Sequence, residues 1–127
     1  MIVKPTEAEL EILKVLWQKG ESTVRAVNDQ LNLKREIGYT TTLKIMQIMV
    51  PKKLVIRDES SRTHLYVAAV KEVDIKDAMV DRLMDSAFSG SASQLVMQAL
   101  GRGDASKEEL QKSYDELLSQ NKIKLVN

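Results

Sequence analysis

No cysteine occurs in the chain, and His64 is its only histidine. The first absence excludes a disulfide framework, a cysteine nucleophile, Fe–S ligation and any thiolate metal site, and the second leaves no histidine pair for zinc. No metal and no cofactor are therefore expected, and a reducing, cytoplasmic setting suits the composition. Long apolar runs are missing as well. Nothing approaches the roughly 18 consecutive apolar residues of a membrane span, and charged residues follow the first six, so neither a membrane segment nor a signal peptide is expected. A Gly-rich phosphate loop, a nucleophile elbow and a paired catalytic constellation are all lacking, which argues against an enzyme.

What is present is 127 residues with a formal net charge of only +1. That length suits one compact unit, or two very small ones that share a core with a partner. Near-neutrality by itself argues against a polyanionic partner. Resolved along the chain, however, the charge is −1 over residues 1–32, +5 over 33–71 and −3 over 72–127. A basic island between two neutral-to-acidic segments points to a polyanion-binding portion joined to a part with another task.

Thr6-Glu7-Ala8-Glu9 forms a capping box, and Leu10, Leu13, Leu16 and Trp17 follow at helical spacing as far as Lys19-Gly20. This predicts a helix over 7–19. Ser22 or Thr23 caps a second, over 23–32, with Val24, Val27 and Leu31 on one face. The run from Thr40 to Val50 is rich in β-branched residues, which favours a strand on propensity. Its periodicity instead sets Thr42, Ile45, Met46 and Met49 on one helical face and Thr40, Thr41, Lys44 and Gln47 on the opposite one. A third helix over 40–52 is expected, ended by Pro51. Leu54–Arg57 and His64–Ala68 read as two strands joined by a polar turn. Three helices and a hairpin are the element order of a winged helix-turn-helix.

Beyond Lys71 the pattern is helical again, with Ile75, Met79 and Leu83 on one stripe and Phe88 near its end. Two further capping boxes, starting at Ser91 and Ser106, open short helices carrying Leu95 and Val96, then Leu110, Tyr114 and Leu117. Some 50 residues in three short helices cannot readily bury such faces alone, so these residues are expected at a two-fold dimer interface. The fold class is thus mainly α with a small β-hairpin: a winged helix-turn-helix domain over 1–71 and a helical dimerisation domain over 72–127. Asp74, Asp77, Asp81 and Asp85 form a solvated stripe, and the methionines at core-facing spacing are gap fillers.

The expected contacts to double-stranded DNA are Tyr39, Thr40, Thr41, Lys44 and Gln47 on the third helix, Lys52 at its end, and Arg57 and Arg62 on the hairpin. Gln pairs with adenine, Lys with guanine, a Thr methyl packs on thymine, and the arginines suit phosphate. Tyr39 is open to two roles, donating to phosphate or packing on the second helix. Leu43 and Ile48, apolar on the polar side of the third helix, favour a second reading: a winged-helix module that binds an acidic partner protein.

With these elements in place the sequence resembles the penicillinase-repressor family of transcriptional regulators. The resemblance is carried by Thr6-Glu7-Ala8-Glu9 with Leu16-Trp17, Tyr39-Thr40-Thr41, Lys52-Lys53-Leu54-Val55-Ile56-Arg57, Val80-Asp81-Arg82-Leu83-Met84 and Phe88-Ser89-Gly90-Ser91. It implies a homodimer that binds a palindromic operator and represses genes answering β-lactam antibiotics or copper, with a sensor protease as partner in the β-lactam branch. Members of that family often carry Arg or a similar polar group where this chain has Ile48, and glycine where it has Lys53. The cysteine pairs of the copper branch have no counterpart, and Gln98-Ala99 stands nearest to the Asn-Phe bond cleaved in the β-lactam branch.

Overall fold

The computed structural model describes residues 4–102 and 107–119. The element order is α1 (Glu7–Lys19), α2 (Val24–Leu31), α3 (Tyr39–Met49), β1 (Val55–Asp58), β2 (Leu65–Ala68), α4 (Glu72–Ala87), α5 (Ala92–Gly101) and α6 (Lys107–Ser119). Two compact units result, residues 1–80 and 81–127. Where the sequence expects a boundary after Lys71, this division falls inside α4. No described helix is long and apolar enough to cross a membrane.

The capping box forms as expected. The Glu9 amide donates to Thr6 Oγ1 (3.2 Å) and the Thr6 amide to Glu9 Oε1 (2.9 Å), which satisfies two of the N–H groups that the start of α1 leaves without helical partners. α1 ends at Gly20, whose φ of 80° is open to glycine and strained for other residues. Ile12, Leu13 and Leu16 of α1 meet Val24, Val27 and Leu31 of α2, Met46 and Met49 of α3, and Leu54, Val55 and Tyr66 from the hairpin. Complete burial of one such aliphatic side chain contributes about 1.5–3 kcal/mol.

The hairpin pairs Val55 with Ala68 and Arg57 with Tyr66 in antiparallel register. It is fastened to the helices by a third short segment. The Ser22 amide donates to the Tyr66 carbonyl (2.9 Å) and the Tyr66 amide to the Ser22 carbonyl (2.8 Å), so the α1–α2 link acts as a one-residue strand beside β2. Trp17 Nε1 donates to the Val70 carbonyl (2.9 Å) and secures the chain after β2.

α3 stops at Met49, earlier than the expected 52. Its end is a tight turn in which the Leu54 amide reaches back to the Met49 carbonyl (3.1 Å) and the Lys53 amide to that of Val50 (2.9 Å). Lys53 takes a φ of 63° to make this turn. That is the left-handed position after a helix where glycine is favoured.

The helices after the hairpin contrast with the elements before them. Among the described residues, thirteen hydrophobic residues are buried and Ile75 alone of these lies beyond residue 71, whereas eight of the thirteen exposed large hydrophobics do. Met46 and Met49 are core residues, but Met79 and Met97 are 40% and 69% exposed, so the gap-filler expectation fails for these two within a single chain.

Lys53→Gly relieves a left-handed conformation that costs an L residue roughly 1–2 kcal/mol, set against about 0.5–1 kcal/mol of extra chain entropy. Stability should rise by about 0.5–1 kcal/mol, read as a higher urea midpoint, while Lys53→Val should lower it.

Candidate nucleic-acid interface

The link between α2 and α3 is held by carboxamides. Asn28 Nδ2 donates to the Ile37 carbonyl (3.1 Å) and to Thr42 Oγ1 (3.3 Å). Asn32 Nδ2 donates to the Ile37 carbonyl (2.9 Å) and the Asn28 carbonyl (2.8 Å), and the Ile37 amide returns a bond to Asn32 Oδ1 (3.3 Å). Asn28 and Thr42 are buried, so their polar atoms must find partners inside the protein. These bonds set the angle at which α3 leaves α2. Sequence reasoning overlooked Asn28, although it occupies the same face as Val24, Val27 and Leu31, where a polar residue is itself a signal.

With Thr42, Met46 and Met49 turned inward, α3 exposes Thr40, Thr41, Lys44, Gln47 and Ile48. Leu43 is not among them. It packs half-buried against the core, which corrects its assignment to the polar side and removes half the support for a protein-docking face. Gly38 caps α3 with no side-chain bond, leaving first-turn N–H groups without a side-chain acceptor. Such amides favour an anion.

Beside α3 runs a groove lined by Thr23, the cap of α2, Val24 and Arg25 of α2, Tyr39, Leu43 and Gln47 of α3, and Arg57, Arg62, Thr63, His64 and Tyr66 of the hairpin. No carboxylate lines it. The Arg25 guanidinium carbon stands 5.0 Å from the centre of the Tyr39 ring, a cation–π contact that explains the half-exposed position of this tyrosine: it packs on α2 and keeps its edge at the groove. Arg25 was absent from the residues expected here, because it sits in a segment with net charge −1. Only the fold brings it beside the hairpin.

On the hairpin, Arg57 Nη2 pairs with Glu59 Oε1 (3.0 Å), while its Nε is buried without a hydrogen-bond partner. The Tyr66 hydroxyl beside it and, against partial desolvation, the Glu59 carboxylate hold the guanidinium's pKa above its ordinary value. Asp58 accepts from the Ser60 amide (2.9 Å), and this bond with the nearby His64 draws its carboxyl below the usual range. The turn is therefore ordered around its own acid, and Arg62 and His64 remain exposed.

Lys52 stands apart from this group. Its ammonium lies 2.7 Å from Glu9 Oε2, and Glu9 is only 3% exposed. The same carboxylate thus completes the α1 capping box and anchors the end of α3. Burial works to raise the Glu9 pKa, but the bonds from Lys52 and Thr6 outweigh it, and the net shift is downward from 4.5.

The residues expected at a dimer interface are divided. Ile75 is 1% exposed and already covered, Phe88 and Leu95 are half-buried, and Met79, Leu83, Val96 and Leu110 are exposed. The side chains of Tyr114 and Leu117 lie outside the described residues, as does Ser106 of the last capping box.

Removal of the Lys52 ammonium leaves a buried carboxylate, so Lys52→Met should cost about 1–3 kcal/mol at neutral pH. A carboxyl with a lowered folded pKa contributes stability that is present above its unfolded value and lost as pH falls through the folded one. In the native chain that loss should begin below pH 4.5. In the variant the bonds from Lys52 that lower this carboxyl are gone while burial still works to raise it, so the acid-linked loss should shrink, measured by urea unfolding across an acid series.

Comparison with known proteins matches the "Penicillinase repressor" family over residues 5–119. The transcriptional regulator BlaI of Mycobacterium tuberculosis is 31% identical over 99 residues, covering 76% of this chain and 71% of that protein. The methicillin resistance regulatory protein MecI of Staphylococcus aureus is 19% identical, covering 84% of this chain and 86% of MecI. The penicillinase repressor of Bacillus licheniformis is 20% identical, covering 92% and 91%. Among solved structures, the DNA-binding domain of the repressor BlaI superposes with a TM-score of 0.51 at 22% identity, over 58% of this chain and 90% of that domain. It shares the helix–helix–helix–hairpin fold.

Proposed function

The chain belongs to the penicillinase-repressor family, and from that premise we propose that this transcriptional repressor acts in the cytoplasm as a homodimer occluding a promoter at a palindromic operator. The observation that carries the reading is the acid-free groove beside α3, where Arg25, Arg57 and Arg62 from two separate elements surround Tyr39 and Gln47. Lys44 stands on the exposed face of α3 and makes no ion pair among the described residues. Cations spaced around a protruding helix suit phosphates on both sides of a major groove, with Thr40, Thr41, Lys44 and Gln47 toward the bases.

Lys52, held by Glu9, serves the fold in this reading and makes no phosphate contact. Tyr39 acts mainly as the platform that holds Arg25 in place. The dimer rests on the uncovered apolar residues of the last three helices: Met79 and Leu83 on α4, Val96 on α5 and Leu110 on α6. Exposed apolar area of this extent on so small a unit marks an interaction surface. A two-fold pair is the simplest closed assembly and matches the symmetry of a palindrome.

A duplex enriched by the full-length chain from a random-sequence pool provides the probe. Its affinity should fall with salt at a log–log slope of about −0.9 per neutralised phosphate, and Arg25→Ala or Arg62→Ala should each reduce that slope by about one contact. Affinity that barely changes with salt would remove the phosphate model. Leu83→Asp should weaken self-association on the order of a hundredfold, about 3 kcal/mol, seen by sedimentation equilibrium. A variant that sediments like the native dimer would move the interface elsewhere.

A further inference from the structure

Ile48 is the one aliphatic side chain on the exposed face of α3, at 52% exposure, and it takes no part in the core. Its neighbours Met46 and Met49 already fill the buried side. Nor does helix propensity account for it, since a β-branched residue is a poorer helix former than the polar residues usual on a solvated face. Thr41, Lys44 and Ile48 follow one another at three- and four-residue steps, which sets them in a single stripe along α3. Gln47 lies on the other flank, facing the groove toward the hairpin.

Resting on the reading of α3 as the DNA-recognition helix, we propose that Ile48 is a specificity residue that packs on the C5 methyl of a thymine in the operator. That methyl is the apolar group displayed in the major groove, and it distinguishes T·A from the other pairs. Seven residues of helix span about 10 Å between Thr41 and Ile48, roughly three base-pair steps, so one stripe can present a hydroxyl, an ammonium and an aliphatic group to successive bases. Ile48 therefore makes the operator of this chain richer in a required thymine.

The test uses the full-length chain and the duplex it enriches from a random pool, with each thymine replaced singly by uracil, which lacks only the methyl. At one thymine per half-site, uracil should weaken native binding about fourfold, the value of one buried methyl. Ile48→Ala should bind the thymine and uracil duplexes alike, whereas Lys44→Ala should keep the uracil penalty. If every uracil duplex binds like its parent, or if the penalty survives in Ile48→Ala, the assignment is wrong. Ile48→Ala that binds DNA as the native chain does would overturn it too, and would indicate an apolar contact with a protein. A chain that enriches no duplex fails the DNA-binding reading itself and this assignment with it.

Discussion

The buried carboxamide of Asn28 is the constraint on which the proposed DNA-facing surface depends. It ties α2 to the Ile37 carbonyl and to Thr42 at once, and Asn32 closes the same link from the other side. An apolar core specifies contact but little direction, because methyl groups pack acceptably at many angles. Hydrogen bonds between buried groups accept far fewer arrangements, since a misplaced helix would leave polar atoms unsatisfied. The rotation of α3 follows: with Thr42 bonded inward, Thr40, Thr41, Lys44 and Ile48 must point outward.

The charges of the basic island divide into two tasks. Lys52 is bound to Glu9 and Arg35 to Glu11, each linking the α3 region back to α1. Arg25, Lys44 and Arg62 have no carboxylate partner among the described residues, and Arg57 shares its guanidinium between Glu59 and the groove. A charge count along the chain cannot separate these groups, because the two acids that neutralise Lys52 and Arg35 belong to the acidic first segment. The net +5 therefore overstates the free positive charge of its own segment and omits Arg25, which joins the same surface from outside it.

The two units differ in how their apolar residues are satisfied. The first surrounds a closed core of α1, α2, α3 and the hairpin, with Tyr66 fully buried at its base. The second has helices on which most of the described large apolar residues are exposed, and α5 has no buried residue. A unit of this kind gains little from folding by itself. The proposed dimer supplies the missing half of its core and makes the second copy part of its stability.

Local signals determined most of the architecture. The Thr6 capping box, the Gly20 stop and the apolar stripes of α1 and α2 depend on residues within four positions of each other, and the helix period outweighed β-branched propensity at α3. The alternation about the polar turn likewise located the hairpin. The face of α3 that carries Thr40, Thr41, Lys44 and Gln47 was legible for the same reason. What tertiary structure decided is each matter that joins distant positions: the Glu9–Lys52 pair, Arg25 above Tyr39, the Ser22–Tyr66 bridge, the inward turn of Leu43, and also the early end of α3 at Met49 with the turn through Lys53 that follows it. These depend on through-space proximity and on a left-handed turn, for which hydrophobic periodicity carries no signal.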